Sequence, residues 1–272
     1  MRQVLLAFQF LTIVPVKVTG DITEKDVAGS AAFFPLVGAF QGLLTAVPAF
    51  LLMKVSRPDI AAAFAIVFLI LGNGGFDLDG LADTIDALAV KSSGDVEKDR
   101  AKRLSVMKDS ATGAMGVIAL IMTILLKFVL MQRLLSDFPL LGVVSIFFLM
   151  PVFSKWITVP AMYYGTPARE DGLGKIFIEH TGLAGVIIST AFILLLSLLV
   201  SSLDLITTSF VHSIEFCGGS VIAFYLLGLL AVKFLMKRFG GLTGDHFGAM
   251  TEISEVLFLL AAYIWLQSVI RI

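Results

Sequence analysis

Between residues 182 and 203 the chain carries no charged side chain and is built mainly of Leu, Ile, Val and Ala. As a helix that run reaches about 33 Å, enough to cross a hydrocarbon layer of about 30 Å. Similar apolar stretches recur at residues 28–53, 113–135, 138–163, 218–236 and 250–270. Another starts at Ile60, stays apolar to about Leu71, and passes through Asn73-Gly74-Gly75 into an acidic segment. Backbone groups in lipid must be satisfied within the protein, which leaves helices or a closed barrel. The runs are too long for barrel strands and lack their alternation. The expected fold is all-α: a polytopic integral membrane protein with about seven transmembrane helices, as a single domain over residues 1–272. Residues 4–16 reach only about 20 Å as a helix. They are expected to form an N-terminal interfacial or re-entrant helix that is retained, since no small-residue cleavage site follows.

Polar residues are scarce, so their placement is informative. Only 15% of the 272 residues are charged, against about 25% in ordinary soluble domains, and mean hydropathy is +0.96. With seven spans, the loops at 17–27, 76–112, 164–181 and 237–249 fall on one side and, with Lys233, hold 13 Lys or Arg. The loops at 54–59, 133–137 and 204–217 hold three. Lys and Arg accumulate on the cytoplasmic side. This predicts a multi-pass protein of the cytoplasmic (inner) membrane whose polar motifs all face the cytoplasm. No large basic block points to nucleic acid, and Cys217, the single cysteine, cannot form an internal disulfide. Lipid-facing and helix-facing surfaces have similar composition, which leaves a homo-oligomer open.

The first polar motif is Gly74-Gly75-Phe76-Asp77-Leu78-Asp79-Gly80-Leu81-Ala82-Asp83-Thr84-Ile85-Asp86. Asp79, Asp83 and Asp86 are spaced i, i+4, i+7, which puts three carboxylates on one helix face. Such like charges repel, and Mg²⁺, a hard cation that takes oxygen ligands, is the natural partner. The helix is expected to run on past the membrane face to carry them, and Gly80 would admit a close neighbour. The plainer alternative is a solvated acidic cap.

The second motif runs from Arg103 through Lys108, Asp109 and Ser110 to Gly116. Two cations before a Ser/Thr/Gly-rich helix start suit phosphate binding; the alternative is a basic membrane flank with a Ser110 cap. The third, Gly240-Gly241-Leu242-Thr243-Gly244-Asp245-His246 and on to Glu252, reads as a tight loop. Gly244, Asp245 and Glu252 are candidates for substrate or metal binding, against a simple turn and cap. His246 is a poor Mg²⁺ ligand. Lys127 and Lys155 lie inside spans, where cations are costly and either snorkel or serve function; Lys127, near mid-span, suits a polar cavity.

An acidic metal site, a cationic loop and a Gly-rich turn on one face suggest phosphoryl transfer to a substrate hydroxyl. A head-group transferase using a CDP-linked alcohol and an ion-coupled transporter stay open on these residues. The three motifs, with Phe10-Leu11-Thr12-Ile13-Val14-Pro15-Val16, resemble the signatures of the cobalamin synthase family, adenosylcobinamide-GDP ribazoletransferase. Asp77 stands where that family usually has His, and Ala87 where it usually has Gly. The resemblance implies transfer of adenosylcobinamide phosphate from adenosylcobinamide-GDP to α-ribazole or α-ribazole 5′-phosphate. The products are adenosylcobalamin or its 5′-phosphate and GMP, in the last step of nucleotide-loop assembly. It further implies Mg²⁺ on Asp79, Asp83 and Asp86 as the metal and catalytic residues. Arg103, Lys108, Asp109, Ser110, Gly244, Asp245 and Glu252 would bind substrate.

Overall fold

A computed structural model describes residues 1–202 and 209–270. Every regular element among them is helical. The order is α1 (Arg2–Leu11), α2 (Glu24–Gly29), a 3₁₀ turn (Ser30–Phe33), α3 (Phe34–Leu52), α4 (Pro58–Asn73), α5 (Phe76–Leu88) and α6 (Val96–Val106). It continues with α7 (Ala114–Asp137), α8 (Leu140–Tyr164), α9 (Leu173–His180), α10 (Leu183–Ser202), α11 (Phe210–Phe239) and α12 (Gly244–Ile270). Among the described residues six stretches are long and apolar enough to cross a membrane: Glu24–Leu52, α7, α8, α10, α11 and α12. The bent pair α4–α5 makes a seventh if taken as one span, in line with the expected count.

Local chemistry sets several boundaries. The Thr23 hydroxyl oxygen accepts from the Asp26 N–H while the Asp26 carboxylate accepts from the Thr23 N–H, a capping box that starts α2. Pro58 sits in the first turn of α4, where its missing N–H costs nothing. Asp95 caps α6 through the N–H groups of Glu97 and Lys98.

Helix α8 is the centre of the bundle, packed on α3, α10, α11 and α12. Of its apolar stretch 78% is buried, against 28% for the more hydrophobic α10, so hydropathy does not rank burial when lipid is the solvent. Helix α3 meets α8 through Gly38 and Gly42. A Cβ at either would fall 2.4 Å from Pro151 O or 2.2 Å from Phe148 O, so two small residues four apart set that contact.

The structure corrects several boundaries. The helix after Leu71 does not run straight on: it breaks at Gly74-Gly75 and α5 turns away from α4 by 88°. Both glycines have positive φ, 70° and 77°, a conformation that costs other residues about 1–2 kcal/mol. The polar segments at 91–110 and 164–181 contain helices, α6 and α9. The Gly-rich loop shrinks to Gly240–Thr243, since α11 extends through Phe239 and α12 begins at Gly244. Helix α11 also begins at Phe210, within the segment read as a 204–217 loop; residues 204–208 lie outside the described residues.

The four loops assigned to one side do meet. Leu242 N–H donates to Thr166 O at 2.7 Å and Ala168 N–H to Leu242 O at 2.9 Å. Arg103 Nη1 donates to Arg238 O at 3.0 Å, and His180 lies 3.6 Å from Glu24.

Candidate active site

The bend places α5 across the end of the bundle. Asn73 holds the elbow: its Nδ2 donates to Asp77 at 2.9 Å and its Oδ1 accepts from the Gly75 N–H at 2.8 Å. Lys155 of α8 donates to the same Asp77 carboxylate at 2.5 Å. Both charged groups are buried, Asp77 7% and Lys155 1% exposed. A carboxylate at this position needs a cation, and Lys155 supplies it.

Helix α5 then packs tightly on α12. A Cβ on Gly80 would fall 2.6 Å from Asp245 O, and one on Gly248 3.0 Å from Asp77 O. The close approach expected at Gly80 is therefore to the backbone that carries Asp245. In the other direction Asp86 ties α5 to α7. Its two carboxylate oxygens accept from the N–H groups of Gly113 at 2.7 Å and Gly116 at 2.8 Å. These are donors of the helix N-terminus, where negative charge is favoured. A Cβ on Gly116 would fall 2.3 Å from the Asp86 carboxylate, so only glycine leaves room for it.

The remaining acids converge at this junction. Asp79 is exposed and Asp83 half-buried. The charges of Asp79, Asp245 and Asp86 all act on Asp83, and Arg169 opposes them. Arg169 stands 3.5 Å from the Asp245 carboxylate, which also accepts from the Thr243 hydroxyl at 3.3 Å. Among the described residues no three or more His, Cys, Asp or Glu side chains stand together as a ready metal-ligand set. The donor chemistry nevertheless fits Mg²⁺: Asp79, Asp83 and Asp245 offer hard oxygens, and each Asp86 oxygen keeps a second lone pair.

Two cavities flank these acids. One, of about 440 Å³, is walled by aromatic and aliphatic side chains, with Asp77, Asp79, Lys155 and Asp245 also lining it. The other, of about 760 Å³, is polar and holds Lys108 and Arg169 together with Glu170 and Asp171.

The sequence candidates divide accordingly. Asp79, Asp83, Asp86, Gly244 and Asp245 come together, and Lys108 faces the polar cavity beside them. Arg103 is only 6% exposed and is bound to the last turn of α11, so it ties α6 to that helix. Asp109 accepts from the Ala111 N–H in the turn before α7, and Ser110 is exposed there. Glu252 lies deeper, in a buried triad where Lys127 donates to Glu252 at 2.7 Å and to Glu255. That triad gives Lys127 its partners. His246 is buried, and its Nδ1 accepts from the Thr243 N–H at 3.0 Å as part of the turn into α12.

Sequence reasoning missed Arg169, Thr243 and the Lys155–Asp77 pair. Arg169 sits in the charged run Arg169-Glu170-Asp171 ahead of Gly172, on the face already marked by the other motifs. That was the available signal. Nothing in the sequence joins Lys155 to Asp77, which are 78 residues apart.

Fold and site together define a helical integral membrane protein with an acidic, cation-flanked site where its loops converge. The cobalamin-5-phosphate synthase family model matches residues 3–263. The chain belongs to that family of enzymes. It is similar to adenosylcobinamide-GDP ribazoletransferases from Thermodesulfovibrio yellowstonii (36% identical, 94% of both chains covered) and Alkaliphilus oremlandii (34%, 99% of this chain and 100% of the relative). A third, from Geotalea daltonii, is 32% identical over 96% of both chains and carries the same name. No solved structure matches.

Proposed function

We propose that this chain transfers adenosylcobinamide phosphate from adenosylcobinamide-GDP to α-ribazole or its 5′-phosphate, releasing GMP. The names of relatives matched over nearly their full length support the substrates. The observation that carries the chemistry is the gathering of Asp79, Asp83, Asp86 and Asp245 beside a cavity that holds Lys108 and Arg169.

A ribose hydroxyl oxygen of the acceptor forms a bond to the phosphorus attached to cobinamide. The bond from that phosphorus to the bridging oxygen breaks, and its electron pair leaves with GMP. Asp79, the most exposed of the acids, or Asp83 takes the hydroxyl proton and passes it to solvent. Lys108 and Arg169 hold the diphosphate by charge. Gly113 and Gly116 fix Asp86, and through it α5, against α7. Bound Mg²⁺, held by Asp79, Asp83, Asp245 and the free lone pairs of Asp86, would supply neutralisation of the developing phosphate charge. The excess of Lys and Arg on the motif-bearing loops supports a cytoplasmic active face in the cytoplasmic membrane.

The test is GMP release by purified protein in lipid, given both substrates, with and without Mg²⁺. Release that requires both substrates and is abolished by chelation is the expected result. CMP release from a CDP-linked alcohol instead would replace this reading with a head-group transferase.

A further inference from the structure

We infer that the 440 Å³ cavity is the acceptor pocket: it holds the uncharged aromatic base of α-ribazole, with the ribose turned toward Asp79. The inference rests on the transferase reading above and adds where the acceptor lies and what selects it.

Three features of the cavity agree. Its walls bring Phe10, Phe34, Phe177, Phe247 and Met162 from five different helices around one space. Aromatic edges and faces and a thioether are the surroundings a flat fused ring packs against best. Size is the second feature. An apolar cavity of about 150 Å³ holds a benzene, so about 440 Å³ accommodates a benzimidazole-type base with its sugar.

Charge is the third. Of the ionisable groups lining the cavity, Lys155 is already paired with Asp77. That leaves Asp79 and Asp245, and the counter-cation of Asp245, Arg169, belongs to the polar cavity. Of the lining residues none is a free cation, so nothing on these walls grips a nucleoside diphosphate. The donor's phosphates are thus directed to Lys108 and Arg169, and the neutral acceptor base to the aromatic cavity. Between the two cavities stand the carboxylates, at the Asp79 and Asp245 edge, where hydroxyl and phosphorus must meet. A 5′-phosphate on the acceptor would have to remain outside the aromatic walls.

The experiment uses full-length protein in lipid nanodiscs and two variants. Met162→Trp fills the buried wall, and Leu173→Trp narrows the rim at a residue that is 52% exposed, where folding tolerates the change. Each is expected to raise the KM for α-ribazole about tenfold or more, the scale on which apolar pockets discriminate, with the KM for adenosylcobinamide-GDP unchanged. Direct titration of wild-type protein with α-ribazole, following the base fluorescence without donor, is expected to show saturable binding that both variants weaken. If Met162→Trp does not fold, Leu173→Trp alone decides. An unchanged α-ribazole KM in folded variants, or a rise in the donor KM instead, overturns the pocket and leaves the transferase reading intact. Binding of α-ribazole that the variants weaken, without any GMP release by wild type, upholds the pocket and overturns the reaction.

Discussion

Asp245 and Glu252 share one face of α12, two turns apart, yet the molecule treats them differently. Glu252 is buried with Glu255 around Lys127, and nearby Asp77 is buried against Lys155. Each deep carboxylate therefore has a lysine inside the protein. At the upper end Arg169 pairs with Asp245 and acts on Asp83, and Asp86 relies on backbone N–H groups. A buried charge without a partner is costly enough to unfold a protein, so the deep pairs are structural. Acids at a solvent-reachable junction can be left short of cations, and in the reading proposed above that shortage is what Mg²⁺ would relieve.

The largest effect is expected from breaking the deep pairing. Lys127→Met strands Glu252 and Glu255 in the bundle and should cost about 3–5 kcal/mol, read as a lower unfolding temperature in detergent. Adding Glu252→Gln and Glu255→Gln should restore most of it. A Lys127→Met protein as stable as wild type would remove the structural role. At the junction the sign reverses. Asp83→Asn should keep the unfolding temperature while GMP release falls about a hundredfold or more; full activity would take Asp83 out of the mechanism.

The elbow that joins the two regions gives a smaller effect. Gly75 has φ 77° and open space where a side chain would go, so Gly75→Ala should cost only the backbone term, about 1–2 kcal/mol. A larger loss in the same unfolding assay would mean that α5 is displaced.

The smallest effect concerns Asp99, a carboxylate outside the membrane neutralised by neither a lysine nor a metal. Its oxygens accept from the Ser92 hydroxyl at 2.5 Å and from the Ser93 N–H and hydroxyl at 2.8 Å. These bonds, the Ser92 hydroxyl foremost, hold its pKa down to about 2, against about 3.9 in an unfolded chain. The stabilisation is present in full above pH 4 and is lost as pH falls from about 4 to about 2. Amide exchange of residues 92–95 should speed up across that range, and Asp99→Asn should show the faster exchange already at neutral pH.

The apolar runs made the span count legible because lipid enforces helices of a fixed length. Asp79, Asp83 and Asp86 were legible because the i, i+4, i+7 pattern belongs to any helix. The 88° turn was not: Gly-Gly permits a positive φ without requiring one, and Asn73, Asp77 and Lys155 together decide it. Glu252 was grouped with the third motif because sequence distance along α12 says nothing of depth. Arg169 stayed hidden because its loop reaches α12 through long-range contacts, among them the pairing of Leu242 with Thr166 and Ala168 and the packing of Gly174 on Gly244.

The elbow also bears on how the protein is made. Helix α5 carries four aspartates, which are costly in hydrocarbon until the surrounding helices supply their partners. Its anchors arrive one after another along the chain, Gly113 and Gly116 of α7 first and Lys155 of α8 next, and the backbone it must seat against, at Asp245 and Gly248, belongs to α12. The acidic junction is therefore completed only with α12, and a chain halted before it would hold Asp77 and Asp86 but lack Asp245 and the wall against which α5 packs.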